Sequence, residues 1–207
     1  FKEKINMSLI KNNIKIEKNP FDLLEKWYKK AKKNEISNPN AMALSTVGPF
    51  NKPRTRMVLM KEIKENGIIF YTNSNSRKGN HINDNKNVSI NFYWKSIDRQ
   101  VLISGKIKKI SSQESDKYFL TRNRKSQIGA WASKQSQKLK SKSNLKTKFD
   151  EIDKKYKGKE IPRPKYWNGY CVYPDSFEFW LQGEGRLHDR VEYKIKSGQW
   201  TTKLLYP

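Results

Sequence analysis

Between residues 19 and 34 the apolar side chains Phe21, Leu24, Trp27, Tyr28 and Ala31 return every third or fourth position. That period predicts an amphipathic helix. Asn19 can cap it and Pro20 suits its first turn. The helix must stop before Asn38-Pro39, because proline disfavours helix in its predecessor. From Ala41 the pattern turns to strands, predicted over residues 41–47, 55–63 and 67–72, with Gly48-Pro49 through Pro53 and Glu65-Asn66-Gly67 as the turns. A short helix is predicted at 77–83, then strands at 88–94 and 99–110 around the polar stretch 95–98. Ser111 with Glu114 forms a capping-box pattern for a helix through Arg122. Helical patterning continues over 126–132 and 144–156, with a mobile polar loop at 134–143 and a rigid Ile161-Pro-Arg-Pro164 connector. Strands resume at 169–173, 177–181, 191–195 and 200–205, the last two joined by Lys196-Ser197-Gly198. Strands linked by short connections imply an antiparallel meander able to close into a barrel. The predicted class is α+β, with helices peripheral to the barrel.

A length of 207 residues suits a single domain, read as residues 19–207 behind an N-terminal arm of residues 1–18. An aromatic share of 12% argues against wholesale disorder. No stretch approaches the roughly 20 apolar residues of a membrane helix. Residues 1–13 carry lysines without the apolar run of a signal peptide, and an opening Phe1 predicts a trimmed chain. Cys171 is the single cysteine, so no intrachain disulfide forms and a reducing cytoplasm is the expected compartment. The formal charge is +24. A phosphate-tracking nucleic-acid binder would have such a surplus, but so would drift toward Lys, Asn and Ile, which share AT-rich codons. Charge alone speaks to solubility and nonspecific binding, and drift is the reading adopted.

Neither G-x-x-x-x-G-K-[ST] nor a complete G-x-G-x-x-G occurs, and His81 and His188 lie far apart without an H-E-x-x-H. Any redox chemistry therefore needs an organic cofactor. Several groups of side chains suit anions. Arg56 and Lys61 flank Met57, Val58, Leu59 and Met60; an odd separation puts them on opposite strand faces unless a bulge intervenes. Tyr71-Thr72 precedes Ser76-Arg77-Lys78 at a helix start, a good anion site, though Arg77-Lys78 reads equally as a solvated pair. Tyr118, Arg122 and Ser126, four apart, share a face if the helix continues and suit a phosphate; the alternative is a surface arginine beside a packed tyrosine. Arg186, His188 and Arg190 alternate, sharing one face of a strand or extended loop. His188 has an alternative as a histidine satisfied by Asp189 or backbone, Trp180 as core, and Cys171 as a small buried hydrophobe.

Taken together, the segments Pro39-Asn-Ala-Met42, Arg56-Met-Val-Leu-Met-Lys61, Phe70-Tyr-Thr-Asn73, Ser76-Arg-Lys78, Arg99-Gln100, Ser126-Gln-Ile-Gly-Ala-Trp-Ala-Ser133 with Gln135-Ser136, Phe179-Trp180 and Arg186-Leu-His-Asp-Arg190 resemble the pyridoxine (pyridoxamine) 5′-phosphate oxidase family, from about Asn19 to Pro207. The resemblance implies a homodimeric FMN-binding split barrel with FMN at the subunit interface. It implies that Arg56, Lys78, Ser136, Arg77 and Gln135 hold the FMN phosphate and ribityl chain. Tyr71, Thr72, Gln100, Trp180 and Arg190 would border the flavin. Lys61, beside the cofactor, would join Tyr118, Arg122 and Ser126 on the substrate phosphate. Arg186 and His188 would cover the pyridine ring as the catalytic pair. The implied reaction is hydride transfer from pyridoxine 5′-phosphate or pyridoxamine 5′-phosphate to the flavin, giving pyridoxal 5′-phosphate, with O2 reoxidising the flavin to yield H2O2. Two features depart from the family pattern. Residues 1–13 hold no Tyr or Arg, so a lid there would be built differently, around Lys4. Leu181-Gln-Gly-Glu-Gly185 lacks the usual polar residue directly after the Trp. Two other functions compete: a different FMN split-barrel enzyme such as a flavin reductase, and a basic nucleic-acid-binding module. The Tyr118–Ser126 and Arg186–Arg190 segments weigh against the first. The second needs exposed aromatics among its basic residues, whereas these aromatics fall within core patterns.

Overall fold

Asn19 starts the first helix as its sequence predicts: its Oδ1 accepts the Phe21 N–H at 3.0 Å, with Pro20 in the first turn. The computed structural model describes residues 12–64 and 66–207. Helix α1 (Pro20–Asn34) buries Phe21, Leu24, Trp27 and Ala31. Its rings meet the sheet edge-on, Phe21 against Phe177 at 5.1 Å and Trp27 against Phe179 at 5.2 Å, a favoured aromatic geometry.

The strands are β1 (Ala41–Val47), β2 (Pro53–Leu59), β3 (Glu62–Lys64), β4 (Gly67–Asn73), β5 (Asn87–Trp94), β6 (Arg99–Lys109), β7 (Trp167–Leu181), β8 (Asp189–Lys196) and β9 (Gln199–Leu204). All pairings are antiparallel, in the order β2-β1-β5-β6-β7-β4-β3, with β8 on the far half of β7 and β9 beyond it. The two ends of that path, β2 and β3, are consecutive in the chain and separated only by Met60 and Lys61. Met60 N–H donates to Asn40 O on the β1 side, and Lys61 N–H to Ile69 O on β4. The sheet therefore curls until its edges meet at these residues, as in a split barrel. The predicted strand over 55–63 is thus two strands, because the chain changes partner at Met60–Lys61. Arg56 and Lys61 therefore share no strand, and their odd separation does not set them on opposite faces.

The predicted strands over 169–173 and 177–181 are one strand. Pro174 is tolerated because it stands opposite Gly105, where the β6–β7 register shifts and a missing N–H breaks no ladder bond. Helix α2 (Arg77–Asp84) follows β4. After β6 come α3 (Ser112–Leu120), α4 (Arg124–Ala132) and α5 (Lys142–Lys155). The capping box on Ser111 and Glu114 forms. The helix predicted through Arg122 stops at Leu120, since Asn123 caps a new helix by accepting the Ser126 N–H at 2.8 Å. Ser141 caps α5, so the polar loop is shorter than the predicted 134–143. Ser197 and Gly198 both have positive φ, as the predicted hairpin turn requires.

One apolar core fills the space between α1 and the sheet; a second, smaller one joins Phe119, Ile128, Ile152 and Ile161 to Trp167. Among the described residues no helix is long and apolar enough to cross a membrane. Residues 12–18 lie along the sheet: Asn13 N–H and Nδ2 both donate to Asp189 Oδ2 at 3.0 Å, and Ile14 is buried. Residues 1–11, where the altered lid was expected, lie outside the described residues.

Met60, 3% exposed at the seam, is the side chain whose truncation tests this closure. Met60→Ala should cost about 2–5 kcal/mol in urea unfolding at fixed protein concentration. Ile36→Ala, at a fully exposed position, should shift stability by less than about 0.5 kcal/mol.

Candidate functional site

Strand β4 ends at Asn73, and a tight turn delivers the chain into α2, whose cap is Ser76. The turn admits no side chain at residue 79: a Cβ on Gly79 would stand 2.1 Å from Ser74 O. This close approach seats Lys78 inside, 8% exposed, while Arg77 stays in solvent. The pair therefore divides: Arg77 is solvated and Lys78 is not. Lys78 Nζ donates to Gln135 Oε1 at 2.8 Å, Thr72 Oγ1 at 2.9 Å and Ser76 Oγ at 3.1 Å. All three acceptors are neutral. Burial, and then the nearby Arg56 cation, pull the Lys78 ammonium down to about 8. Arg56 is itself lowered by burial and by Arg54 and Arg77. Among the described residues these four cations, Arg54, Arg56, Arg77 and Lys78, have no carboxylate partner, and such a cluster favours an anion.

Lys78, Thr72 and Gln135 line one end of a cleft of about 680 Å³ that also takes in Lys61, Tyr71, Tyr118, Arg122 and Ser126. The break between α3 and α4 places Arg122. Gln127 Nε2 donates to Phe119 O at 3.0 Å, satisfying the end of α3. Arg122 then lies over the Trp167 ring at 4.6 Å, and Tyr118 stacks on Tyr71 at 4.0 Å. Trp167 is fixed by Arg163, whose Nη1 donates to Trp167 O at 2.7 Å and whose Nε donates to Asp116 at 2.6 Å. Arg122 Nη1 is buried and has no hydrogen-bond partner among the described residues. Burial lowers the guanidinium from its usual value, yet arginine keeps its charge. An unpaired buried N–H on a cation is costly, and an anion in the cleft would relieve it. Burial and the neighbouring Tyr118 push the Tyr71 phenol up to about 12, so it stays protonated.

The remaining predicted residues lie elsewhere on the chain. Gln100, Trp180 and Arg190 stand side by side across β6, β7 and β8. Arg190 pairs with Glu178 at 2.8 Å and donates to Tyr206 O at 2.7 Å. Trp180 is half-buried, not core, and its ring meets His188 at 4.6 Å. His188 Nδ1 accepts the Gly183 N–H at 3.2 Å, which leaves Nε2 as the protonated nitrogen of the neutral ring. Backbone thus satisfies His188, one of the alternatives raised by its sequence. Arg186, His188 and Arg190 do not share a strand face, because β8 begins only at Asp189 and Arg186 sits in a helical turn at φ 65. Ser136, at φ 72, and Arg186 are both left-handed, a strained state common at functional sites. None of Gln100, Trp180, Arg186, His188 or Arg190 lines the cleft of its own chain.

Asn73, Asn123, Ser133 and Trp167 also line the cleft and were missed from sequence. Asn123 carried a readable signal, a capping residue before a helix-forming run. Trp167 and Asn73 carried none, since only tertiary packing turns them inward. Cys171 is buried within β7, as a small hydrophobe would be.

Comparison with known proteins bears on this arrangement. Residues 28–156 match the family model described as pyridoxamine 5′-phosphate oxidase, and residues 167–207 match the pyridoxine 5′-phosphate oxidase C-terminal dimerisation region. The chain is 46% identical over 190 residues to a pyridoxine/pyridoxamine 5′-phosphate oxidase of Pelagibacter ubique, covering 91% of each chain. It is 46% identical over 189 residues to a second oxidase of that name from Hydrogenovibrio crunogenus, covering 91% of this chain and 89% of that one. Among solved structures, PhzG from Burkholderia lata, in complex with tetrahydrophenazine-1-carboxylic acid, superposes with a TM-score of 0.88 at 30% identity, covering 92% of this chain and 94% of that one. With its split-barrel sheet and its cationic cleft, the chain belongs to the pyridoxamine 5′-phosphate oxidase family of oxidoreductases.

Proposed function

We propose that the chain is a flavin enzyme that takes FMN and oxidises pyridoxine 5′-phosphate or pyridoxamine 5′-phosphate to pyridoxal 5′-phosphate. Dioxygen accepts the two electrons and leaves as H2O2; the amine also consumes water and releases ammonia. The observation that carries this reading is the orphaned Arg122 Nη1, buried in one cleft with Lys61, Tyr118 and Ser126. Those four groups fit a phosphate monoester.

Arg56, Arg77 and Lys78, with Gln135 and Ser136, hold the FMN phosphate and ribityl chain in this reading. The residues fit: Lys78 is buried against neutral acceptors only, and Arg56 Nε and Nη2 donate to nothing among the described residues. FMN, when bound, supplies the two-electron chemistry. The protein orients the substrate: its phosphate is held remotely by Arg122 and Lys61, and that binding energy fixes the reacting carbon. Arg186 and the His188 Nε2–H cover the pyridine ring.

A second copy of the chain completes the site. Gln100, Trp180, Arg186, His188 and Arg190 lie outside their own chain's cleft, and the cleft rim exposes the apolar Met57 and Leu59. In the homodimer, one subunit's Trp180–Arg190 row faces the other's Arg122. The phosphate grip also separates this reading from a flavin enzyme whose substrate lacks phosphate, such as the carboxylic acid bound in the PhzG structure.

The purified chain should be yellow, consume O2 and form H2O2 with pyridoxine 5′-phosphate, and leave unphosphorylated pyridoxine untouched. Turnover of pyridoxine at an equal rate would refute the phosphate grip. Arg122→Leu should raise KM for the phosphorylated substrate about 10- to 100-fold with flavin content unchanged, as loss of charge-assisted bonds predicts. Assayed at substrate well below the Arg122→Leu KM, where each variant alone is nearly inactive, a mixture of Arg122→Leu and Arg186→Ala subunits should restore about a quarter of wild-type activity, because half the dimers are mixed and carry one intact site. No recovery would mean that both residues serve the same subunit's site. Finally, bound phosphate keeps Lys78 protonated, while the flavin-free protein loses that proton near pH 8. FMN affinity should therefore be flat between about pH 6.5 and 8, above the second ionisation of the phosphate near pH 6, and fall by up to about tenfold per unit above pH 8. Lys78→Arg should abolish the fall in a fluorescence titration.

A further inference from the structure

The buried histidine that the reaction does not use, His81, points to a layer of residues behind the cofactor site. Arg56 Nη1 donates to Leu44 O at 2.9 Å and to Thr46 Oγ1 at 2.8 Å, so both of its hydrogens are committed to β1. Thr46 Oγ1 lies 3.1 Å from His81 Nδ1. Thr46 is 1% exposed and His81 6%. Arginine only donates, so the Thr46 hydroxyl accepts from Arg56 and is left with one hydrogen of its own. With His81 in the tautomer that carries its proton on Nε2, Nδ1 accepts that hydrogen; in the other tautomer Nδ1–H donates to the hydroxyl's second lone pair, and either way the contact ties the ring to Thr46. The ring is also fixed from its other side: a Cβ on Gly48 would stand 2.5 Å from His81 Cε1, so the chain before β2 lies directly against the imidazole.

This chain of contacts joins two separate elements. Arg56 belongs to β2, and His81 belongs to α2, the helix that presents Arg77 and Lys78 at its start. We propose that Thr46 and His81 are positioning residues for phosphate recognition, holding the Arg56 guanidinium in register with Lys78 so that Nε and Nη2 face the phosphate of the flavin nucleotide. The inference rests on the reading in which Arg56 holds the FMN phosphate. Locking one guanidinium nitrogen to β1 removes rotamer freedom before the ligand arrives, which is the general basis of preorganised binding. Without the hydroxyl, Arg56 keeps its charge and its bond to Leu44 O but loses one of the two contacts that fix Nη1.

The test compares FMN with riboflavin, which lacks only the phosphate, by fluorescence quenching with flavin-free protein. Thr46→Val should weaken FMN about tenfold, the scale of one charge-assisted hydrogen bond, and leave riboflavin unchanged. Thr46→Ser, which keeps the hydroxyl, should restore FMN affinity. His81→Leu should show the same phosphate-selective loss in smaller degree. Equal weakening of FMN and riboflavin would overturn the proposal, because general damage to the fold does not distinguish them. Thr46→Ser and His81→Leu carry the same comparison if Thr46→Val does not fold. Arg56→Leu separates the two levels of the argument. Should it leave the preference for FMN over riboflavin intact, Arg56 is not a phosphate ligand and the underlying reading fails. Should it abolish that preference while Thr46→Val and His81→Leu preserve it, the positioning role alone is overturned.

Discussion

An ammonium group taken out of water and given only neutral acceptors is the constraint on which this structure turns. Among the described residues Lys78 has three hydrogen-bond partners and no carboxylate, with the Arg56 cation close enough to depress it further. A fold holds such a group only if something repays the desolvation. Nearby, Arg122 repeats the pattern with a buried, unpartnered N–H stacked over an indole. Glu62 and Glu114 come near enough to the cleft to act on Tyr71, but the ion pairs of the acidic residues around it run to other cations, Glu114 to Lys64, Asp153 to Arg124 and Asp116 to Arg163. Among the described residues no carboxylate bonds Lys78 or Arg122, and the surplus lysines of the surface are a separate matter.

The strands do the positioning. Six aromatic rings from α1, β5 and β7 interlock in the main core, and this rigid body carries β4 and the start of α2. The second core, around Phe119 and Trp167, carries the loop with Arg122. Tyr71 links the two, since it belongs to β4 yet stacks on both Tyr118 and Trp167, at 4.0 and 5.1 Å. The geometry between the two anion-seeking ends is therefore set by a stack of planar rings, which tolerates little shear.

Much of this was legible in the chain itself. Capping residues at Asn19 and Ser111, alternation in β1 and β5, and the Ser197-Gly198 turn are local signals, and local physics honoured them. The strand break at Met60–Lys61 was not legible, because what ends β2 is a change of partner strand, which no window of sequence contains. The union of β7 across Pro174 was hidden for the same reason: the register shift that excuses the proline depends on Gly105, far away in sequence. Of the candidate site residues, those in the cleft were recognisable as anion binders by type, while their convergence depended on tertiary packing. The Arg186–Arg190 segment gave a wrong local geometry, since two left-handed residues, Gly185 and Arg186, bend what alternation alone renders straight.

The stitch at Met60–Lys61 has a consequence for how the barrel and its ligand depend on one another. Met60 plugs the core, and the next residue, Lys61, reaches into the cleft. A one-residue slip along this crossing would expose the plug and withdraw the cation together. Drift by insertion or deletion is thus barred at this point twice over, by the apolar interior and by the cleft, and the seam of the barrel is also the hinge pin of its chemistry.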